Sequence, residues 1–216
     1  TLDGPQQERL RQQLSRREQL HRALTLAAGW FRSQLRSAEG APALAYLKES
    51  RGLSEVTIEA FGLGYAPERW DGLLNHLGQV EGLAPELLEA AGLVVPRKGN
   101  GDQDKPSPNS RIANSRGFYD RFRHRVMVPI SDRQGRIIGF GGRSLDGGEP
   151  KYLNSPETEV FEKGKHLFGL DRAANAIRSD DRAVVVEGYF DVIALHAAGI
   201  TLSLIHISEP TRQAEI

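Results

Sequence analysis

The stretch that decides the fold of this chain is AVVVEGYFDVIALHAAGI, residues 183–200. Ala183 to Val186 is an unbroken apolar run of strand length, as expected of a strand buried on both faces. It passes directly into Glu187-Gly188-Tyr189-Phe190-Asp191 and then into an apolar segment, Val192 to Ala198, that predicts a helix. Strand, tight turn and helix make half of a βαβ unit. In open α/β sheets, ligands bind beyond the carboxyl ends of the strands, where the next helix presents its N-terminus, and Glu187 stands at that point. A carboxylate there adds nothing to a core and needs a cation or a basic partner. Asp191 begins the helix, where it can cap and also face the same pocket. Two carboxylates beside a phosphate site suit Mg2+, which takes oxygen ligands and shares its coordination with substrate phosphates. A capping Asp and a strand-end Glu bonded to a lysine would account for the same two residues.

Upstream, Arg125 to Ile130 and Arg136 to Gly141 are β-rich runs joined by Ser131-Asp132-Arg133-Gln134-Gly135, which predicts an antiparallel hairpin. From Lys151 the chain is rich in turn residues, KYLNSPETEVFEKGKHLFGL, until a helix from about Leu170 to Arg178. The hairpin region is also where charge concentrates. Arg111, Arg116, Arg121, Arg123, Arg125, Arg133 and Arg136 face only Asp120 and Asp132, with Phe118, Tyr119 and Phe122 interleaved. Guanidinium forks grip phosphate oxygens and aromatic rings stack on bases, so this mixture suits a single-stranded nucleic acid. A solvated strand face would have the same composition.

Further upstream the chain reads as helical. Asp3 and Pro5 signal a helix start, and Leu10, Leu14, Leu20, Leu24, Ala28, Phe31 and Leu35 recur at helical spacing up to Gly40. Shorter helices are predicted over Pro42 to Ser50, from a Ser54 N-cap to Phe61, over Glu68 to His76 and over Pro85 to Ala91, with a strand at Leu93 to Val95. Arg97 to Gly117 is Gly, Asn, Ser, Asp and Pro over an unusually long span, which predicts a mobile loop.

Composition narrows the classes. Hydrophobic residues make up 39% and charged residues 26% of 216, an ordinary globular mixture. Lys+Arg and Asp+Glu are both 28, so net charge names no partner. The absence of cysteine excludes disulfides, thiolate metal sites and cysteine nucleophiles, and leaves oxygen or imidazole to hold any metal. No apolar run approaches the ~18 residues of a membrane span. Without a basic-then-apolar leader, and with Thr1 in first place, the chain is expected to be a cytoplasmic piece of a longer protein.

Three motifs in order, YDRFRHRVMVPISDRQGRIIGFGGRSL (119–145), PKYLNSPETEVFEKGKHLFGL (150–170) and AVVVEGYFDVIALHAAGI (183–200), resemble the catalytic core of the bacterial DnaG-type DNA primases. The helical part resembles it too, through YLKESRGLS and GYAPERWDGL. The resemblance runs over roughly residues 5 to 201 and implies an α+β fold. A helical N-terminal part (1–96) and the loop (97–117) would precede a basic, antiparallel hairpin part (118–180) and the first βα unit of a Toprim α/β fold (181–201). It implies an enzyme of bacterial replication that makes short RNA primers on single-stranded DNA from ribonucleoside triphosphates with Mg2+ or Mn2+. Glu187 and Asp191 would be the catalytic and metal-holding acids. Arg51, Arg121, Arg123, Arg143, Lys151, Tyr152, Asn154 and Lys163 would meet nucleotide and template. Chemistry agrees with that assignment, because nucleotidyl transfer needs cations on phosphate oxygens, carboxylates to hold them and basic side chains nearby. Arg143 follows two glycines that would let backbone approach a phosphate, and Lys151 and Lys163 would act as point charges on the triphosphate.

The sequence departs from the family pattern in two places. The family's zinc module is missing, so this chain is not expected to bind zinc. The Asp-x-Asp pair that completes the Toprim metal site does not follow Asp191. Contacts with replicative helicase and single-strand-binding protein would belong to other parts of the parent, and no membrane partner is implied. Residues 202–216 begin LSLIHISEPTR, which looks like one reading frame of a sequencing adapter, and are set aside from the expected fold, His206 included. Two other readings share these residues: another Toprim enzyme of nuclease or topoisomerase type, and a non-catalytic single-strand-binding module.

Overall fold

The computed structural model describes residues 4–97 and 117–207. Most of the expected loop, with Arg111 and Arg116, and the tail from Ser208 onward lie outside the described residues.

The protein is built around an antiparallel hairpin. Strand β4 (Arg125–Ser131) pairs with β5 (Ile137–Ser144), with a register shift at Ile130/Ser131. Asp132 closes the turn: its Oδ1 accepts the N–H groups of Gln134 (2.9 Å) and Arg136 (3.0 Å), and its Oδ2 accepts Arg136 Nε at 2.8 Å. Burial pushes the Asp132 carboxyl up, yet these donors hold it below the ordinary carboxylate range. Two short strands complete the sheet, giving the order β1-β4-β5-β6 with β1 at Gly64–Ala66 and β6 at Tyr152–Asn154. Neither is visible as a strand in sequence, because three residues are too few to show alternation.

Helix α1 (Gly4–Leu35) lies across this sheet on its Leu20, Ala23, Leu24, Ala27 and Phe31 face, all essentially inaccessible to solvent. The approach is close. A Cβ on Gly64 of β1 would sit 2.6 Å from Phe31 Cβ, so only glycine admits the helix here. Leu14, expected on the inward face, is exposed, because the first turns of α1 run past the sheet; Arg17 there donates to the Glu159 carbonyl at 2.8 Å. Helix α2 (Ala41–Ala45) continues into one π-helical turn, Tyr46–Ser50. Helix α3 (Glu55–Ala60) starts where expected, Ser54 Oγ accepting the Thr57 N–H at 3.2 Å. Helix α4 (Gly72–Gln79) starts four residues later than the Glu68 start read from sequence, since Pro67 to Asp71 form the turn out of β1. Helix α5 (Pro85–Ala90) leads to β2 (Val94–Pro96), which pairs antiparallel with β3 (Phe118–Asp120). Because β1 bonds to β4, the helical part and the hairpin share one continuous core.

A separate three-stranded sheet holds the βαβ unit. Beyond β7 (Leu167–Phe168) and α6 (Leu170–Asp180), β8 (Val184–Val185) runs into α7 (Tyr189–Ala197), and β9 (Ser203–His206) returns parallel to β8. The order is β7-β9-β8, with β7 antiparallel. Two expectations are corrected here. The 183–186 run is not buried on both faces: Val185 is 70% exposed, because β8 is an outer strand and no described element covers that side. Residues 203–206, set aside on sequence, form the central strand, with Leu202, Leu204, Ile205 and Ile207 buried; the apolar Leu204 and β-branched Ile205 suit a strand.

Candidate nucleotide and template site

The Glu187-Gly188 turn is held between two groups of cationic and aromatic side chains by the first two residues of α7. Tyr189 reaches toward the hairpin sheet, where its hydroxyl donates to Asn154 Oδ1 at 2.8 Å. Its ring meets Phe168 edge-on at 4.9 Å and lies so close to β5 that a Cβ on Gly141 would sit 2.6 Å from Tyr189 Cε2. Burial, with Tyr152 adding to it, pushes the Tyr189 hydroxyl far up, so it stays a neutral donor. Phe190 reaches the other way. Its ring packs edge-on against Tyr46 at 6.3 Å, and the Arg51 guanidinium lies 4.8 Å from its centroid.

The two groups meet at Tyr46. Arg51 Nε donates to Tyr46 Oη at 2.5 Å, and the Arg51 guanidinium lies 5.3 Å from the Tyr46 ring. Arg143 approaches the same ring at 5.5 Å while donating to Tyr152 Oη at 3.1 Å. Cross-strand pairing of Arg143 with Tyr152 and of Gly141 with Asn154 fixes this side. The Arg143 Nε is enclosed and makes no hydrogen bond among the described residues. Two guanidinium groups on one tyrosine, beside the Glu187 turn, form a cationic wall suited to phosphate oxygens.

The remaining expected residues divide. Arg121 Nη2 donates to the Asn154 carbonyl at 3.2 Å and so joins the Arg143 side. Lys151 is exposed, its carbonyl held by Ser144 N at 3.0 Å. Lys163 is enclosed at 7% exposure on a 3-10 turn, with its main-chain N–H on Glu157 Oε1 at 3.0 Å, so it is not the open point charge expected from sequence. Arg123 belongs to a separate cluster, 4.2 Å from the Trp70 ring and 5.2 Å from Tyr119. The expected role of the two glycines before Arg143 is also corrected: Tyr189 fills the space over Gly141, and Phe122 and Arg125 fill that over Gly142, leaving no room for phosphate.

Glu187 and Asp191 are both exposed. Asp191 folds back over the turn, its Oδ2 lying 3.1 Å from where a Gly188 Cβ would be, and does not cap α7 with its side chain. Among the described residues no group of three or more His, Asp or Glu could hold a metal. The hard carboxylate oxygens match Mg2+ or Mn2+ in kind, and supply at most part of a coordination shell.

Sequence reasoning missed Tyr46, Trp70, Tyr189 and Phe190 as parts of this surface, whereas Tyr119, read as an aromatic among arginines, does lie beside Arg123. The adjacent aromatics in EGYFD were a usable signal, since a helix that starts on Tyr-Phe can anchor its preceding turn on two sides.

A family model described as DNA primase catalytic core, N-terminal domain, matches residues 30–105 and 103–174. The chain belongs to this DNA primase family. A DNA primase of Synechococcus elongatus is 55% identical over 200 residues, 93% of this chain and 27% of that relative. One from Synechocystis is 46% identical over 200 residues, 93% of this chain and 29% of its own length. The primase chain therefore spans under a third of these curated relatives. Among solved structures, the RNA polymerase domain of Mycobacterium tuberculosis primase DnaG superposes with a TM-score of 0.77 at 38% identity, over 90% of this chain and 58% of that one. A DnaG primase catalytic domain bound to single-stranded DNA gives a TM-score of 0.75 at 37% identity, over 92% and 56%. Among the described residues of this primase chain, no helix is long and apolar enough to cross a membrane.

Proposed function

We propose that the chain is part of a DNA-templated RNA polymerase that makes short RNA primers on single-stranded DNA during bacterial replication. The observation that carries this reading is the anchoring of the Glu187 turn, through Tyr189 and Phe190, between Asn154 on one side and Arg51 with Tyr46 on the other. Arg51 and Arg143 take triphosphate oxygens, Tyr152 and Asn154 orient the nucleotide, and Arg121, Arg123 and Lys151 guide the template backbone. Lys163, being enclosed, contributes field rather than direct contact. Glu187 and Asp191 are the acids that would hold Mg2+ or Mn2+. That cation, when bound, neutralises phosphate oxygens and activates the attacking hydroxyl. The division into 1–96, 97–117, 118–180 and a Toprim start at 181–201 belongs to the same reading, as do helicase and single-strand-binding protein as partners of the whole primase.

The test uses the full-length parent. Glu187→Gln is expected to abolish template-directed oligoribonucleotide synthesis while template affinity changes less than about twofold, since a neutral isostere removes a cation ligand and leaves the cationic wall. Joint loss of synthesis and template binding would make Glu187 structural and sink the assignment.

A further inference from the structure

We infer that Asp120 is a positioning residue for a nucleic-acid stacking platform formed by Trp70, Tyr119 and Arg123, because it fastens the turn before α4 to the turn after β3. The inference rests on the reading of Arg123 as a template contact and adds the residue that sets its geometry.

The platform has an open face. Trp70 is 54% exposed, its ring meets Tyr119 at 5.6 Å and 69°, and the Arg123 guanidinium lies 4.2 Å from its centroid. An exposed indole backed by a cation offers a π-surface to any base, which is how single strands are held without sequence preference.

Asp120 is 3% exposed and uses every polar group it has. Its Oδ2 accepts the Leu73 N–H at 2.8 Å and its Oδ1 accepts the Leu74 N–H at 3.0 Å, satisfying the first turn of α4. Its own N–H donates to the Trp70 carbonyl at 2.7 Å, and its carbonyl accepts Arg123 Nη1. A cap needs only the two carboxylate bonds. The other two, made by its main chain, reach the two platform residues whose stacking defines the open face, so the carboxylate ties α4 to the peptide units that hold them. Charged groups near the carboxylate are Asp71, from the turn before α4, and Arg123; Arg69 in that turn is engaged by Glu39 at 2.5 Å.

The test follows two quantities in the 216-residue chain. The first is the Trp70 indole N–H resonance, assigned by its loss in Trp70→Phe. The second is the anisotropy of a fluorescein-labelled single-stranded DNA oligonucleotide. Asp120→Asn is expected to move the indole resonance and weaken binding roughly fivefold, approaching Arg123→Ala, as loss of one ordinary hydrogen bond implies. Ala173→Gly, a destabilising control in α6, is expected to move neither. If Asp120→Asn does not fold, the unsubstituted chain decides: the indole resonance should follow the titration of the Asp120 side-chain carbon, and independence of the two overturns the inference. Binding that falls with Arg123→Ala but not with Asp120→Asn also overturns it, leaving the template reading intact. Binding indifferent to Arg123→Ala overturns both.

Discussion

At Asp120 two electrostatic demands oppose each other. Burial, the largest cause, pushes its carboxyl up to about 7, with Asp71 adding to the rise, while the Leu73 and Leu74 N–H groups and Arg123 pull it down. An acid whose folded pKa exceeds its unfolded one keeps its proton longer in the native state. Its contribution to stability is therefore greatest below about pH 4, declines as pH rises, and levels off above about pH 7. Calorimetric melts are expected to show a downward component of Tm across that window in the unsubstituted chain, absent from Asp120→Asn. An identical slope in both would contradict it. Gly141 is the second decisive residue. Gly141→Ala puts a methyl into the Tyr189 ring and is expected to cost about 1–3 kcal/mol of overpacking, read by denaturant unfolding, with the Tyr189–Asn154 hydrogen bond disturbed. Neither role could be read from the sequence, where Asp120 was one acid in a basic run and Gly141 suggested a phosphate approach. Both depend on partners far away along the chain.

Elements were legible where they were long or capped. The periodicity of α1, the Ser54 cap, the hairpin turn at Asp132 and the strand-to-helix step at Glu187 all announced themselves. Replacing the Ser54 hydroxyl by Ser54→Ala is expected to cost about 1 kcal/mol in chemical denaturation, because the Thr57 N–H loses its acceptor. Strands β1, β6 and β7 were illegible, since two or three residues pair only because a longer neighbour is already in place. The burial of β8 was misjudged for the same physical reason: an apolar run states what a strand tolerates, and its neighbours decide what it receives. Strand β9 had a strand-like pattern that its unusual sequence had set aside.

On the scale of the molecule, the helical part and the hairpin form one body, and the βαβ unit is joined to it through Tyr189 and Phe190 at the proposed site. Stability and site geometry are therefore coupled. Phe31→Ala, at the centre of the α1–sheet contact, is expected to cost about 3–5 kcal/mol in thermal or chemical denaturation. The chain by itself is expected to bind single-stranded DNA weakly and with strong salt dependence. With Arg121, Arg123 and Lys151 as template phosphate contacts, log K against log salt should have a slope of about −2 in anisotropy titrations. It is expected to make no primers, since two carboxylates supply too few ligands for a pair of cations. Template-dependent product from the purified chain would overturn that.

The outer position of β8 carries a practical cost. Among the described residues nothing pairs with the outer edge of β8 or covers Val185, which leaves an adhesive rim on which a second molecule can lay down a strand of its own. Concentrated solutions should drift toward higher-order species by light scattering, and Val185→Lys, a guard charge on that rim, should keep them monodisperse.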